Sequence, residues 1–406
     1  MSYGVALRNG VPFTLGTIAA LCVNATTQWN PLRLWPDGIA TPGMWISPRD
    51  LTSQWADYTG TTPVSVPGTV ADSSNPVGLA LDIRAGAPEV LGPDVVVNGD
   101  FATDTDWTKT AGWTISGGAA HFDGSGYDKQ LTQIALTIGK WYEYTVTATN
   151  VSSGKFCVWD GAGSGVYFFE PTGTQTFTGI IYATATVLSI YASFGAFSID
   201  NISVREVPGN HMLQSTSAAR PLLSAYDGQT LGPGDTYDST GYPVFQLYDG
   251  VDDGMATAAF SAGTLIDGMD CMIVVRRDAG TIAVAGLNNQ LQNVFFGIYV
   301  QGENTDATHL GCGAPVPYVD GVELTGGTSA TRGTLYNALT AGDWHILEYR
   351  NLDLSTWTKA DWGNFGATFF FNGPRGDILL YPSTTPTADK DAARQWLADY
   401  YGVTLP

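Results

Sequence analysis

Five aromatic residues between positions 95 and 207 have the chemistry of a sugar platform: Trp107, Trp113, Tyr127, Trp159 and Tyr167. A pyranose stacks its C–H face on an aromatic ring and needs polar groups nearby for its hydroxyls. Trp159 stands in Cys157-Val158-Trp159-Asp160-Gly161, at the mouth of an expected strand and beside a carboxylate. Trp113 lies near the opposite end of its own strand. The competing fate of each is burial, the usual lot of a tryptophan in a small β-sandwich. The expectation is that one exposed member of the set Trp113, Tyr127, Trp159 and Tyr167 stacks on a glycan.

Nothing comparable points to catalysis, and the chain reads as a non-enzyme. There is no G-x-S-x-G and no H-E-x-x-H. The four histidines, His121, His211, His309 and His345, are scattered, and the seven glutamates form no E-x-D-x-E strand. Residues 161–165, Gly-Ala-Gly-Ser-Gly, lack the lysine and the helix of a phosphate loop and read as a hairpin. Four cysteines, at 22, 157, 271 and 312, have no zinc spacing. They read as isolated buried thiols of a protein made in a reducing cytoplasm, and nothing supports a Cys271–Cys312 bridge.

The net charge of −20 repels phosphate backbones and anionic membranes, which excludes nucleic acid as a partner. No apolar run reaches the ~18 residues that span a bilayer. Residues 15–25 resemble the core of a signal peptide, but only Arg8 precedes them as a base and Pro12 interrupts the approach. They read as a buried strand or short helix.

The elements that must position these residues are strands. Charged residues make up only 14% of the chain, while 49 glycines and 21 prolines supply turns. Residues 142–149 alternate, with Tyr142, Tyr144, Val146 and Ala148 on one side and Glu143, Thr145, Thr147 and Thr149 on the other. Turn spacing over 95–207 suggests a sandwich of about a hundred residues. Its ends should lie close together, so it can sit as an insert in a host. Residues 1–43 form an attachment or oligomerisation segment in which Trp29 and Trp35 need a large surface, their own domain or a partner chain. Residues 44–94 form an extended strap lying on another surface. Residues 208–406 hold a second sandwich, with strands near 244–248, 269–276, 294–301, 344–350, 368–371 and 377–380. A helix over 386–401 closes the chain, with Thr385 as N-cap, an apolar stripe of Ala392, Ala393, Trp396, Leu397 and Tyr400, and Gly402 as terminator.

These landmarks, in this order, resemble a family of bacteriophage and prophage virion structural proteins. The matching pieces are Trp45…Asp50-Leu51, Gly60-Thr61-Thr62-Pro63-Val64, Pro76-Val77-Gly78-Leu79…Asp82, Asn98-Gly99-Asp100-Phe101, the run from Ile199 through Pro208-Gly209-Asn210-His211, Ala219-Arg220-Pro221, Asp249-Gly250-Val251-Asp252-Asp253, and Trp396-Leu397…Gly402-Val403-Thr404-Leu405. They cover roughly residues 44 to 406. Gly254 departs from the larger residue usual there, and residues 69–75 look like an added loop. The resemblance implies an all-β chain: a jelly-roll, carbohydrate-binding-like insert and a concanavalin- or laminin-G-like sandwich, with an extended N-terminal segment and one C-terminal helix. It implies a place on the virion surface, as tail fibre, tail tip or head fibre, among other virion proteins, binding host surface carbohydrate as a homotrimer. A capsid decoration protein of purely architectural role and a polysaccharide depolymerase are the alternatives. The resemblance also implies a structural Ca²⁺ held by Asp100 and Asp200 at the two ends of the insert, against local Asx-turns as the plainer account. Asp249, Asp252 and Asp253 are a second such candidate, with a solvated turn the stronger reading.

Overall fold

The computed structural model describes residues 6–8, 11–13, 29–58, 60, 62–65, 75–84, 91–151, 154–160, 169, 173–224, 243–259, 264–276, 285–289, 292, 294–298, 304–365 and 369–406. Tyr167, Cys22, the run 161–165, the apolar run 15–25 and most of the loop 69–75 lie outside them. The architecture is all-β, as expected, with antiparallel sheets throughout.

The stretch 95–207 builds two sheets. One has five strands in the order Gly173–Tyr182, Trp141–Val151, Phe197–Val207, Ala119–Phe122, Trp113–Ser116. The other has four, in the order Lys155–Trp159, Val187–Phe194, Lys129–Ile134, Thr108–Lys109. Alternation dictates their packing. Tyr142, Tyr144, Val146 and Ala148 are all buried, while Glu143, Thr145 and Thr147 stay partly exposed. They meet Phe156, Val158, Leu188 and Ile190 of the facing sheet in one apolar core. Each such side chain contributes roughly 1.5–3 kcal/mol on burial. Entry and exit run side by side: Val95 N–H donates to Val204 O at 2.8 Å and Gly92 N–H to Glu206 O at 2.9 Å.

The flanking segments make a larger sandwich together. One sheet runs His309–Leu310, Val294–Ile298, Ala285–Asn289, Asp361–Trp362, Met255–Thr257, Met212–Leu213, Leu79–Ala80, Gln54–Trp55. The other runs Leu222–Ser224, Phe245–Asp249, Asn372–Pro382, Asp267–Arg276, Trp344–Asp353, Gly313–Val319, Val322–Glu323, with Met44–Ile46 paired to Asn372–Pro382. The strap therefore does not lie on a finished surface. It supplies three short strands, and Met44, Ile46, Val77 and Ala80 sit in the main core with Met212, Ile273 and Leu380. Strands of two or three residues are too short to show a period, which is why the sequence reads as irregular there.

Buried charge fixes the strap. Arg49 and Asp377 pair at 3.1 Å with side chains 4% and 0% exposed. The same carboxylate accepts from Trp45 Nε1 at 3.0 Å and from the Tyr401 hydroxyl at 2.8 Å. The Arg49 guanidinium lies 3.8 Å from the Trp396 ring centroid and 4.0 Å from that of Tyr400. Trp35 stacks on Trp45, and both Trp45 and Trp29 meet Trp396 edge-on. Trp35 is thus buried by its own chain, and Trp29 and Trp45 are partly covered by it.

The closing helix, Thr387–Tyr401, starts one residue later than expected: Pro386 is the N-cap and makes no side-chain bond. The buried stripe is Ala393, Leu397, Ala398 and Tyr401, and Gly402 ends the helix at φ 71°. In its first turn Asp389 accepts from Trp29 Nε1 at 3.0 Å and pairs with Arg33 at 2.9 Å. Lys390 reaches Asp270 at 2.6 Å and Arg394 reaches Glu348 at 3.0 Å. A second helix, Arg332–Ala338, has no counterpart in the sequence reading; Thr331 caps it by accepting from Thr334 N at 3.1 Å. Cys157, Cys271 and Cys312 are buried free thiols.

A small apolar cluster joins the insert to the strap: Trp141, Ile180 and Val207 against Trp55, Leu79 and Leu81. Gly60, at φ +71°, allows the approach, because a Cβ there would stand 2.8 Å from Ile180 Cβ.

Candidate functional site

The four-stranded sheet of the insert turns Phe156, Val158, Leu188, Ile190, Ala192 and Leu131 into the core. The alternate residues must face away from it. Cross-strand register puts Trp159 beside Ser189, Ser189 beside Thr132, and Thr132 beside Thr108. The next row holds Cys157, Tyr191 and Gln130. Trp159 and Tyr191 are diagonal neighbours, with ring centroids 6.0 Å apart and planes at 90°. They form a corner in which a ring can lie against one aromatic face and abut the edge of the other. The Tyr191 hydroxyl donates to Asp128, which holds the ring in place. Ser189 Oγ donates to Gln130 Oε1 at 3.5 Å. Both aromatics are partly exposed, whereas Cys157 and Ser189 beneath them are fully buried. Burial pushes the Cys157 thiol up to about 12, so it is no nucleophile.

Of the sequence candidates, Trp159 belongs to this face. Tyr127 is 70% exposed and leads into it through Asp128. Trp113 does not belong. Its strand buries Trp113 and Ile115 and exposes Thr114 and Ser116, so the indole packs on Phe122 and Phe197 at 5.3 and 5.6 Å in the core. Trp107 is likewise buried, with Nε1 donating to Asn98 O at 3.1 Å. Asp160, beside Trp159, is taken up by Thr184, whose N–H and hydroxyl reach it at 2.7 and 2.5 Å. The sequence reading passed over Tyr191, Gln130 and Asp128. The signal was the phase of 187–194, which sets Tyr191 opposite Leu188, Ile190 and Ala192.

Each of the carboxylates proposed for Ca²⁺ accepts a backbone N–H nearby in sequence. Asp100 Oδ1 accepts from Ala102 N at 3.3 Å and Asp200 Oδ1 from Asn201 N at 2.7 Å, each within its own turn. The carbonyls of the adjoining loop are held by an amide: Asn98 Nδ2 donates to Thr103 O at 2.8 Å and Thr105 O at 3.0 Å. Asn98 Oδ1 accepts from Thr103 N, which fixes the amide's orientation. Among the described residues, the one group of three or more potential ligand side chains is Asp249, Asp252 and Asp253. They cap their own turn: Asp249 accepts from Val251 N at 2.8 Å, and Asp253 from Asp249 N at 2.9 Å. Burial, then the charges of Asp249 and Asp252, push the Asp253 carboxyl up to about 7.

Elsewhere, buried carboxylates are spent on structure. Asp82 pairs with Arg84, Asp270 with Lys390, Glu348 with Arg350 and Arg394, Asp361 with Lys359. His121 Nδ1 lies 2.8 Å from Ser198 Oγ, but its other nitrogen meets the Ser116 carbonyl rather than a carboxylate. Most elaborate is the node at the exit of the insert. His211 Nδ1 accepts from Asp82 N at 2.9 Å, so Nε2 carries the proton and donates to Val207 O at 2.9 Å. Asp82 also accepts from Trp45 N and Asn210 N, and Asn210 Nδ2 donates to Gly43 O. Burial holds the His211 imidazole below the usual histidine range.

No family model matches the chain, and no curated protein matches it. Solved structures that overlap parts of it include a CBM4 carbohydrate-binding module, at TM-score 0.22 and 16% identity over 27% of this chain and 99% of that one. The CBM22-1 xylan-binding domain of Paenibacillus barcinonensis Xyn10C overlaps at TM-score 0.22 and 13% identity, over 29% of this chain and 97% of that one. The enzymatically active domain of bacteriophage CBA120 tailspike protein 4 overlaps at TM-score 0.21 and 14% identity, over 30% of this chain and 22% of that one. Overlaps this slight assign neither a family nor a function.

Proposed function

We propose that this chain is a non-enzymatic surface component of a bacteriophage particle that binds host glycan on the Trp159–Tyr191 face of its insert. The observation that carries the binding is the perpendicular pair of partly exposed rings beside the partly exposed polar side chains of Gln130 and Thr132. Stacking supplies affinity, and the Gln130 amide and the Thr132 hydroxyl supply partners for sugar hydroxyls. The virion setting, with other particle proteins as neighbours and a trimeric assembly, rests on the resemblance of the landmarks described above. The non-enzymatic reading is supported by buried carboxylates tied into ion pairs and turns. Glycan-array binding with Trp159→Ala, Tyr191→Ala and Tyr127→Ala tests the face: the first two should abolish binding and the third weaken it. Unchanged binding in Trp159→Ala/Tyr191→Ala would move the site elsewhere. One observation favours the architectural alternative, a capsid decoration protein: Ser189 and Cys157 on this face are fully buried. Absence of any glycan signal, with the chain traced between capsomers by cryo-EM, would establish it.

A further inference from the structure

A cavity of about 400 Å³ opens on the host sandwich, away from the insert, lined by Val319, Asp320, Val322, Leu324, Ala338 and the tail 404–406. Its volume falls in the range of small-ligand sites. The walls are apolar: Val319 and Leu324 are buried core residues, Val322 is 54% exposed at the rim, and Ala338 ends the short helix. The one charged side chain lining it is Asp320. That carboxylate is fixed from behind. Oδ2 takes the Nδ1–H of His345 and Oδ1 takes Ile346 N–H, both at 2.7 Å. Two bonds leave lone pairs on both oxygens, since a carboxylate accepts about four. The side chain is 19% exposed, so those lone pairs are shielded from bulk water without being sealed off. Arg394, whose guanidinium lies beside the Gly321 turn, is engaged by Glu348 and Asp391. A largely apolar cleft with one oriented carboxylate side chain is complementary to a cation on an apolar stem, and the chain's net charge of −20 favours its approach.

We propose that this cavity binds an aliphatic ammonium group, with the stem against Val319, Val322, Leu324 and Leu405 and the –NH₃⁺ donating to Asp320. A free alkylamine and a lysine side chain share that chemistry. Calorimetric titration of the full chain with n-pentylammonium chloride, n-pentanol and Nα-acetyl-lysine amide tests it. The ammonium should bind about tenfold more tightly than the alcohol, the effect of one charge-assisted hydrogen bond. Added salt should erode that margin. Asp320→Asn should remove the margin while leaving the alcohol's affinity. Val322→Trp, at an exposed rim position that leaves Asp320 and its partners alone, should weaken both probes; it keeps the test decisive where Asp320→Asn does not fold. If acetyl-lysine amide matches pentylammonium, the natural source is a protein lysine; if only the alkylamine binds, it is a free amine. Equal affinities for alcohol and ammonium, no heat from either, or full ammonium binding in Val322→Trp would overturn the assignment.

Discussion

Acidification should loosen the join between insert and host, and His211 should account for it. The ring is 2% exposed and accepts Asp82 N–H on Nδ1. A proton added there would set N–H against N–H. Asp82, Arg84 and Glu206 are the charged groups facing it; the two carboxylates favour the cation and Arg84 opposes it, but burial outweighs them and lowers the pKa. The unfolded chain therefore binds a proton that the folded chain refuses. Stability is complete above the ordinary histidine value near 6.5. It falls as pH drops below that value, by up to about 1.4 kcal/mol per pH unit, until the folded pKa is reached. Guanidinium denaturation at half-unit steps from pH 8 to 4.5 measures it, with His211→Gln beside the wild type. The glutamine keeps an acceptor and a donor but does not titrate. The wild type should lose stability more steeply than the variant below pH 6.5, by close to one proton. His309, also lowered by burial, titrates in both proteins and cancels. Parallel pH curves for the two proteins would refute the reasoning.

Arg49→Met should cost about 3–5 kcal/mol in the same assay, because it leaves Asp377 buried without its cation; the double change Arg49→Met/Asp377→Leu should recover part of that. Asp253→Asn should act in the opposite sense to His211. A raised carboxyl pKa means that folding opposes ionisation, so the stability it allows at acid pH is lost as pH rises towards about 7. The variant should therefore be more stable than wild type at pH 8, with the difference vanishing near pH 4. EDTA should leave the melting midpoint unchanged, whereas Asn98→Ala should lower stability by about 1–2 kcal/mol through the loop carbonyls it abandons. A midpoint that drops with EDTA and returns with Ca²⁺ would restore the metal at the insert's ends.

Periodic elements were legible in the sequence, and paired ones were not. The alternation of 142–149 forecast a half-buried strand, and the alternating burial bears it out. Gly402 marked the helix end because only a left-handed residue suits that place. Trp113 and Trp159 were indistinguishable by type. What separates them is which phase of its strand each occupies, and that depends on which neighbours form the core. The strap failed for a related reason. Met44–Ile46 and Leu79–Ala80 are strands only because Asn372–Pro382 and Met212–Leu213 complete their hydrogen bonds, and pairing across such distances has no local signature. Tyr191 was overlooked because a tyrosine in an apolar run looks like core until register sets it against Gln130. Arg332–Ala338 starts at Thr331-Arg332-Gly333-Thr334, where glycine and threonine argue against a helix; a side-chain cap and tertiary packing outweigh them.

A host sandwich whose strands are split by the insert faces a closure problem. Pairing Leu79–Ala80 with Met212–Leu213 across a disordered loop of over a hundred residues carries an entropic cost that grows with the logarithm of loop length. If the insert folds first, the loop shrinks to residues 81–91 and 207–211 outside its paired ends, a saving of about 2 kcal/mol. The structure supplies the clamp: Asp94 Oδ1 accepts from Val204 N at 3.0 Å, and residues 92–95 run against 204–206. The Asp82–His211 node and the Trp55–Trp141 cluster then lie just beyond the clamp, where the two halves first meet. Pulse-labelled hydrogen exchange during refolding should find the amides of Trp141–Val151 and Phe197–Val207 protected before those of Leu79–Ala80 and Met212–Leu213. Asp94→Ala should widen the interval by slowing the second step. Host amides protected first would mean that the large sandwich closes the loop unaided, and that the pairing at 92–95 is a consequence of folding rather than its organiser.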